Sequence, residues 1–230
     1  MKNLLFKEFR LAIHPMVWVF SLFGAMIFIP NYPNTIFAIY VMMAFLFLFQ
    51  GGKENNDLFY SELLPIKKRD IIKARFLSIL SFEMLSVIVC AIVSAITYSM
   101  NYGLYGKQIS SLTTDSFIGI PPDPAYFGIV LFSFGVFNSI FLHLHYKNGF
   151  KMLVPMIVAT VVAVIPLIAA EVLSSMSGTP LESVSIQLIA VNSSTALCQS
   201  LILIIGVLFY VFSLLFTFKR EAVVFEKTDI

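Results

Sequence analysis

The sequence predicts an all-α integral membrane protein: six transmembrane helices, an amphipathic elbow helix before them, and both termini in the cytoplasm. Three observations carry that prediction. Apolar residue types make up 59% of the 230 positions and mean hydropathy is +0.90, a composition outside that of soluble globular domains. Six long apolar runs recur along the chain; each crossing needs about 20 residues, so six take about 120 and leave no room for a folded nucleotide-binding or catalytic domain. Of the 15 Lys and Arg residues, all but Lys107 fall on one side when six spans are threaded from a cytoplasmic start, the sorting that sets orientation.

Residues 1–14 form the elbow. At about 100° per residue, Leu5, Phe6, Phe9 and Ile13 share one arc, with Asn3, Lys7, Arg10 and His14 opposite. Such a helix can lie in the inner leaflet, basic face toward anionic headgroups, before Pro15 turns the chain. A plain extension of the first span is the alternative. The first two spans, 15–30 and 34–49, flank the turn Pro30-Asn31-Tyr32-Pro33-Asn34 and are short; one re-entrant hairpin is the other reading.

Gly51 and Gly52 should release the second helix into the most polar part of the chain, 51–66. There Asp57 or an Asn before it can cap a short helix in which Phe59 and Leu63 share a face, and Pro65 ends it. The third span, 67–98, starts with the basic run Lys67, Lys68, Arg69, Lys73 and Arg75 and should project about two turns beyond the membrane. A short helix bearing Leu58, Phe59, Tyr60, Leu63 and Leu64 on the end of a rigid span suits a groove in a soluble partner. A solvated loop that only enforces topology is the plainer reading, but these side chains are too apolar for it. The remaining spans are 125–146, 152–170 and 196–218, followed by a cytoplasmic tail, 219–230. Pro166 interrupts the fifth and is a hinge candidate. The outer segment 172–195 has enough apolar residues over 181–191 for a helix dipping back into the interface.

Inside the membrane, Glu83 sits about 10 Å into the third span. An ionised carboxylate there costs about 2.5–3.5 kcal/mol, so it should be protonated, paired or facing a wet cavity. His143 and His145 are its candidate partners, either as a structural contact or in lining a path. Two apart on a helix, they point to different sides, which argues against a metal site. Cys90 and Cys198 are too few for a disulfide framework and read as packing residues. The net charge of +2 is sorted by side of the membrane, which speaks against nucleic-acid binding. No small-residue cleavage site follows the charged start, so a signal peptide is not expected.

The architecture and the stretch Glu54, Leu58-Phe59-Tyr60-Ser61, Leu64-Pro65-Ile66 and Arg69-Asp70-Ile71-Ile72-Lys73-Ala74-Arg75 resemble the ABC-2 type permeases. Within them the chain is most similar to small bacterial permease subunits of peptide exporters, including those for phenol-soluble modulins. The resemblance implies that Glu54, Asp57, Leu58, Phe59, Tyr60, Glu62 and Leu63 dock in the cleft of a separate ATP-binding cassette ATPase. Lys67, Lys68, Arg69 and Arg75 then form the cytoplasmic start of the third span. It implies no catalysis or cofactor in this chain, ATP and Mg being held by the partner; the chain has no phosphate-binding loop of its own. A second permease copy, identical or related, and membrane lipid are the other implied partners, with export across the cell membrane as the activity. Twenty-four Phe and ten Met residues suit amphipathic peptides or lipids. Two other classes are weighed against this. A gradient-driven transporter would want charged pairs at mid-membrane and repeated halves; an intramembrane enzyme would want a base beside Ser81, Ser86 or Ser94.

Overall fold

The computed structural model describes residues 2–29, 35–54, 68–105, 122–147, 151–175 and 193–226. Every regular element among them is helical. Helix α1 (Lys2–Lys7) opens into a π turn (Glu8–Ala12), and α2 (Pro15–Ser21) tightens into a 3-10 helix (Leu22–Phe28). They are followed by α3 (Thr35–Glu54), α4 (Lys68–Tyr105), α5 (Pro124–Lys147), α6 (Leu153–Ser175) and α7 (Ser193–Glu226). Each helix from α3 to α7 contains a segment long and apolar enough to cross a bilayer; Leu4–Arg10 with Pro15–Phe28 qualify together as a sixth, bent by 87°. The chain is a multi-pass, all-α membrane protein.

The first crossing differs from the predicted 15–30 span. His14 caps α2 by accepting from the Met16 N–H at 3.2 Å, and Pro15 occupies the first turn, where its missing N–H costs nothing. Seven α-helical and seven 3-10 residues rise about 24 Å together, about 3.5 Å more than the same length of α-helix. The tighter winding thus lengthens a segment short of a full crossing.

The elbow meets the bundle through Leu4 and Glu8, both buried, while Phe6 stays 62% exposed with the Arg10 guanidinium over its ring at 5.7 Å. The predicted apolar arc is divided: Phe6 faces outward, while Phe9 and Ile13 pack against the core. The reason lies in Glu8, whose burial is satisfied only on the side where α4 offers a cation.

Gly51 and Gly52 do not release α3, which continues through them to Glu54. Both are buried, and a Cβ at Gly52 would sit 3.2 Å from each terminal nitrogen of Arg75. Helical hydrogen bonding carries the chain across glycine here because the missing side chain makes room for that guanidinium. Helices α4 and α7, 38 and 34 residues long, rise about 57 and 51 Å against about 30 Å of hydrocarbon. The predicted tail at 219 is thus the last turns of α7. Helix α6 runs through Pro166 without a break.

The tightest packing joins α5 and α7. They run parallel in one constant register: Gly135 meets Ser213, Ser139 meets Thr217 and His143 meets Glu221, each pair 78 residues apart. The same register places Gly128 against Gly206, where a Cβ on Gly206 would lie 2.1 Å from the Gly128 carbonyl oxygen. Lipid tails are as apolar as leucine, so close backbone approach and interhelical hydrogen bonds hold such a pair. Helix α3 joins α5 through an aromatic ladder: Phe45 lies edge-on to Phe137 at 4.9 Å, Phe49 to Phe141 at 5.1 Å and Phe49 to His145 at 4.8 Å. Outward faces of α6 and α7 carry Ile157, Val161, Ile165, Ile204, Leu208 and Phe212, all exposed, as a lipid-facing surface requires.

Candidate functional site

The charged side chains at one end of the bundle converge around the two helix ends that flank residues 55–67. Arg75, in the second turn of α4, is the hub. Its side chain is 5% exposed, and its Nε donates to Glu8 Oε2 at 3.2 Å. The guanidinium lies 5.5 Å above the Phe49 ring of α3 and against Gly52. One side chain thus ties the elbow, the end of α3 and the start of α4 together. Glu8 is fully buried; its other oxygen takes no hydrogen bond and lies 3.9 Å from Lys7 Nζ. A buried pair of this kind gains little net stability over apolar side chains, but removing one member strands a charge. It therefore fixes geometry more than it stabilises.

A second buried carboxylate, Glu221 near the end of α7, accepts from Arg220 Nε at 2.8 Å and lies 3.3 Å from His143 Nδ1. Arg220 Nη2 also donates to the Ser139 carbonyl at 2.9 Å. Below it the α5–α7 seam carries a hydroxyl chain: Ser139 is 2.7 Å from Ser213 and 3.0 Å from Thr217, and Ser213 donates to the Gly135 carbonyl. Because Ser213 spends its only hydrogen on Gly135, Ser139 donates to Ser213 and Thr217 to Ser139. Tyr146 is buried on α5, its ring edge-on to that of His145 at 5.4 Å. Arg69 reaches over Phe218 at 5.9 Å and Phe76 packs edge-on to the same ring at 5.6 Å, fastening α4 to α7.

Several predicted roles change. Arg75, expected in the cytoplasmic start of the third span, lies near the start of α4 as a buried partner of Glu8, while Arg69 and Lys73 are exposed. Glu83 is not paired with His143 or His145. It accepts from Asn138 Nδ2 and from the Tyr210 hydroxyl, while His143 goes to Glu221 and His145 to the Lys151 carbonyl at 3.0 Å. The reason is direction: along α5, Asn138 rather than either histidine lies level with Glu83. Ser81 and Ser86 donate to their own helix backbone, at Leu77 and Glu83, which leaves neither poised as a nucleophile. Glu54 ends α3 and Lys68 begins α4. Asp57, Leu58, Phe59, Tyr60, Glu62, Leu63 and Lys67 lie outside the described residues, as does the 181–191 segment.

Sequence reasoning missed Glu8, Glu221, Asn138, Tyr146 and Tyr210. Glu8 was visible as an acid in an otherwise basic elbow, and Asn138 and Tyr210 as polar groups in apolar runs. At the far end, Asp123 precedes α5, and burial pushes its carboxyl up from 3.8 to about 6.

The family model for the ABC-2 family transporter proteins matches residues 3–220. Neither a curated protein nor a solved structure matches the chain.

Proposed function

Because the chain belongs to the ABC-2 family of transporter proteins, we propose that it is the membrane-spanning subunit of an exporter powered by a separate ATP-binding cassette ATPase. The cargo in this reading is amphipathic peptide of the class that phenol-soluble modulins represent, moved out across the cell membrane. A second permease copy, identical or related, completes the path, and ATP and Mg stay with the ATPase. Both termini and the Arg75 end of the bundle face the cytoplasm, as the sorting of Lys and Arg requires.

The observation that supports this reading most is the Arg75 junction. Helix α3 ends two residues past Gly52 and α4 begins seven residues before Arg75, and the Arg75 guanidinium, against Gly52, joins both to the elbow through Glu8. In this reading a push by a docked ATPase between α3 and α4 is delivered through Arg75 to three membrane elements at once. Helix α4 then passes it along a rigid rod to Glu83, and the seam with α7 passes it onward through Phe218. Coupling of this kind needs a discrete element whose position both sites bias; α4 with its two anchors is that element.

The test is copurification with the ATPase, followed by hydrolysis measurements with candidate amphipathic peptides. Phe59→Ala combined with Tyr60→Ala should leave the permease inserted and folded but abolish its stimulation of ATP hydrolysis. Unchanged stimulation sinks the docking assignment. Uptake or export that follows a proton gradient in vesicles lacking any ATPase sinks the larger reading.

A further inference from the structure

Glu83 takes no part in the Arg75 junction. Its carboxyl is 0% exposed on α4, two turns past Arg75, where α4, α5 and α7 meet. Asn138 Nδ2 on α5 donates to both carboxyl oxygens, at 2.9 and 3.0 Å, and the Tyr210 hydroxyl on α7 donates to Oε2. Both partners are uncharged. The cations and imidazoles nearest in the fold are engaged elsewhere: Arg75 by Glu8, His143 by Glu221 and His145 by the Lys151 carbonyl. The 3-10 segment packs on α4 by Gly24 against Ser86 and Cys90, and α2 by Trp18 against Phe82; neither brings a basic side chain to the carboxyl. Among the described residues, Tyr210 is the one titratable group in contact with it.

A second observation concerns Asn138 itself. Its Oδ1 is buried with no donor. An un-ionised acid carries a hydroxyl hydrogen in need of an acceptor, and an amide oxygen in need of a donor sits on the same pair of side chains. A half-turn of the amide brings the two together, with the Tyr210 hydroxyl still on Oε2, and turns the Nδ2 hydrogens toward the space that Oδ1 leaves. A carboxylate makes neither demand and would leave a full charge among neutral donors inside the membrane, the arrangement that buried charges avoid.

We propose that Glu83 is a proton-holding clamp: as an un-ionised acid it closes α4 onto α5 and α7 within the membrane. When the helices part and water reaches the site, the proton leaves to solvent and a carboxylate remains. The carboxylate prefers water to a pocket of neutral donors, so reclosing the bundle takes a proton back up. Opening and closing of this joint are thereby linked to pH, whatever drives the movement.

The experiment uses the purified full chain in lipid nanodiscs and needs no ATPase, so its outcome is separate from that of the export reading. Infrared difference spectra of wild type against Glu83→Gln at neutral pH should show a protonated-carboxyl carbonyl band that the variant lacks. The variant should keep wild-type melting behaviour at neutral pH and exceed it in alkaline medium, where the native acid is forced to ionise. Absence of the band, or parallel pH profiles for the two proteins, overturns the proposal. Should Glu83→Gln fail to fold, Tyr210→Phe decides instead. An un-ionised acid keeps its band with a small change in melting, whereas a carboxylate that depends on the tyrosine donor shows no band and a large loss.

Discussion

Breaking the Arg75–Glu8 pair from one side should be far more damaging than removing it whole. The pair is buried, 5% and 0% exposed at the two side chains, with 3.2 Å between Nε and Oε2. Arg75→Met leaves Glu8, among the described residues, with Lys7 at 3.9 Å and itself 18% exposed to offset its charge. A stranded buried charge costs about 3–5 kcal/mol, and the guanidinium over Phe49 adds about 0.5–2 kcal/mol to the loss. Lys7 cushions the charge, so about 3 kcal/mol is the working figure. For a chain of this size that corresponds to a fall in melting temperature of about 6–12 °C. Glu8→Leu removes the acceptor of Arg75 Nε but leaves the guanidinium over Phe49, so it should cost somewhat less. The double variant Glu8→Leu with Arg75→Met removes both charges of the pair and should recover at least about 2 kcal/mol of the summed losses. Melting of the four purified proteins in one detergent gives the cycle. The same four proteins, scored for stimulation of the ATPase, separate folding from coupling: the double variant should be folded but poorly stimulating. Strict additivity of the losses refutes the buried pair as a unit, and full stimulation by the double variant refutes its role in transmission.

Glycine substitutions should divide sharply. Gly206→Ala places a methyl 2.1 Å from the Gly128 carbonyl oxygen, backbone that can yield only by parting α5 from α7, a loss of about 1–3 kcal/mol; Gly52→Ala meets only the flexible end of Arg75 at 3.2 Å and should melt within a few degrees of wild type. Equal effects would show that the α5–α7 register is wrong. Asp123 gives a pH signature: burial raises its carboxyl from 3.8 to about 6, so the folded state binds the proton more tightly than the unfolded one. Its stabilising contribution is complete below about pH 4 and is lost as pH rises through about 6. Asp123→Asn should flatten that part of the melting profile, and an unchanged slope would assign it to another group.

Much of the architecture is legible in the sequence because a bilayer imposes one-dimensional rules. A crossing needs a minimum run of apolar residues and every backbone polar group must be satisfied within it, so apolar runs report helices directly and Lys and Arg counts report sides. Helix ends were less legible. Nothing local in Gly51-Gly52 says that α3 continues, since the reason is the Arg75 guanidinium that arrives from a helix entering after residue 67. The amphipathic pattern of the elbow named an apolar arc but not the residue that meets the bundle, which is Glu8, one partner of a pair 67 residues apart.

The sequence by itself therefore determined an all-helical, multi-pass membrane protein, because length and hydropathy are properties of single segments. It also marked Glu83 as a residue needing company, because burying a carboxyl is costly wherever it falls. Only the tertiary structure decided the company: Asn138 and Tyr210 rather than two histidines, Glu8 for Arg75, and Glu221 for His143. Which polar groups meet depends on the relative rotation and register of helices far apart in the chain. That register is set by backbone contacts such as Gly128 on Gly206, a relation between two segments that neither segment encodes alone.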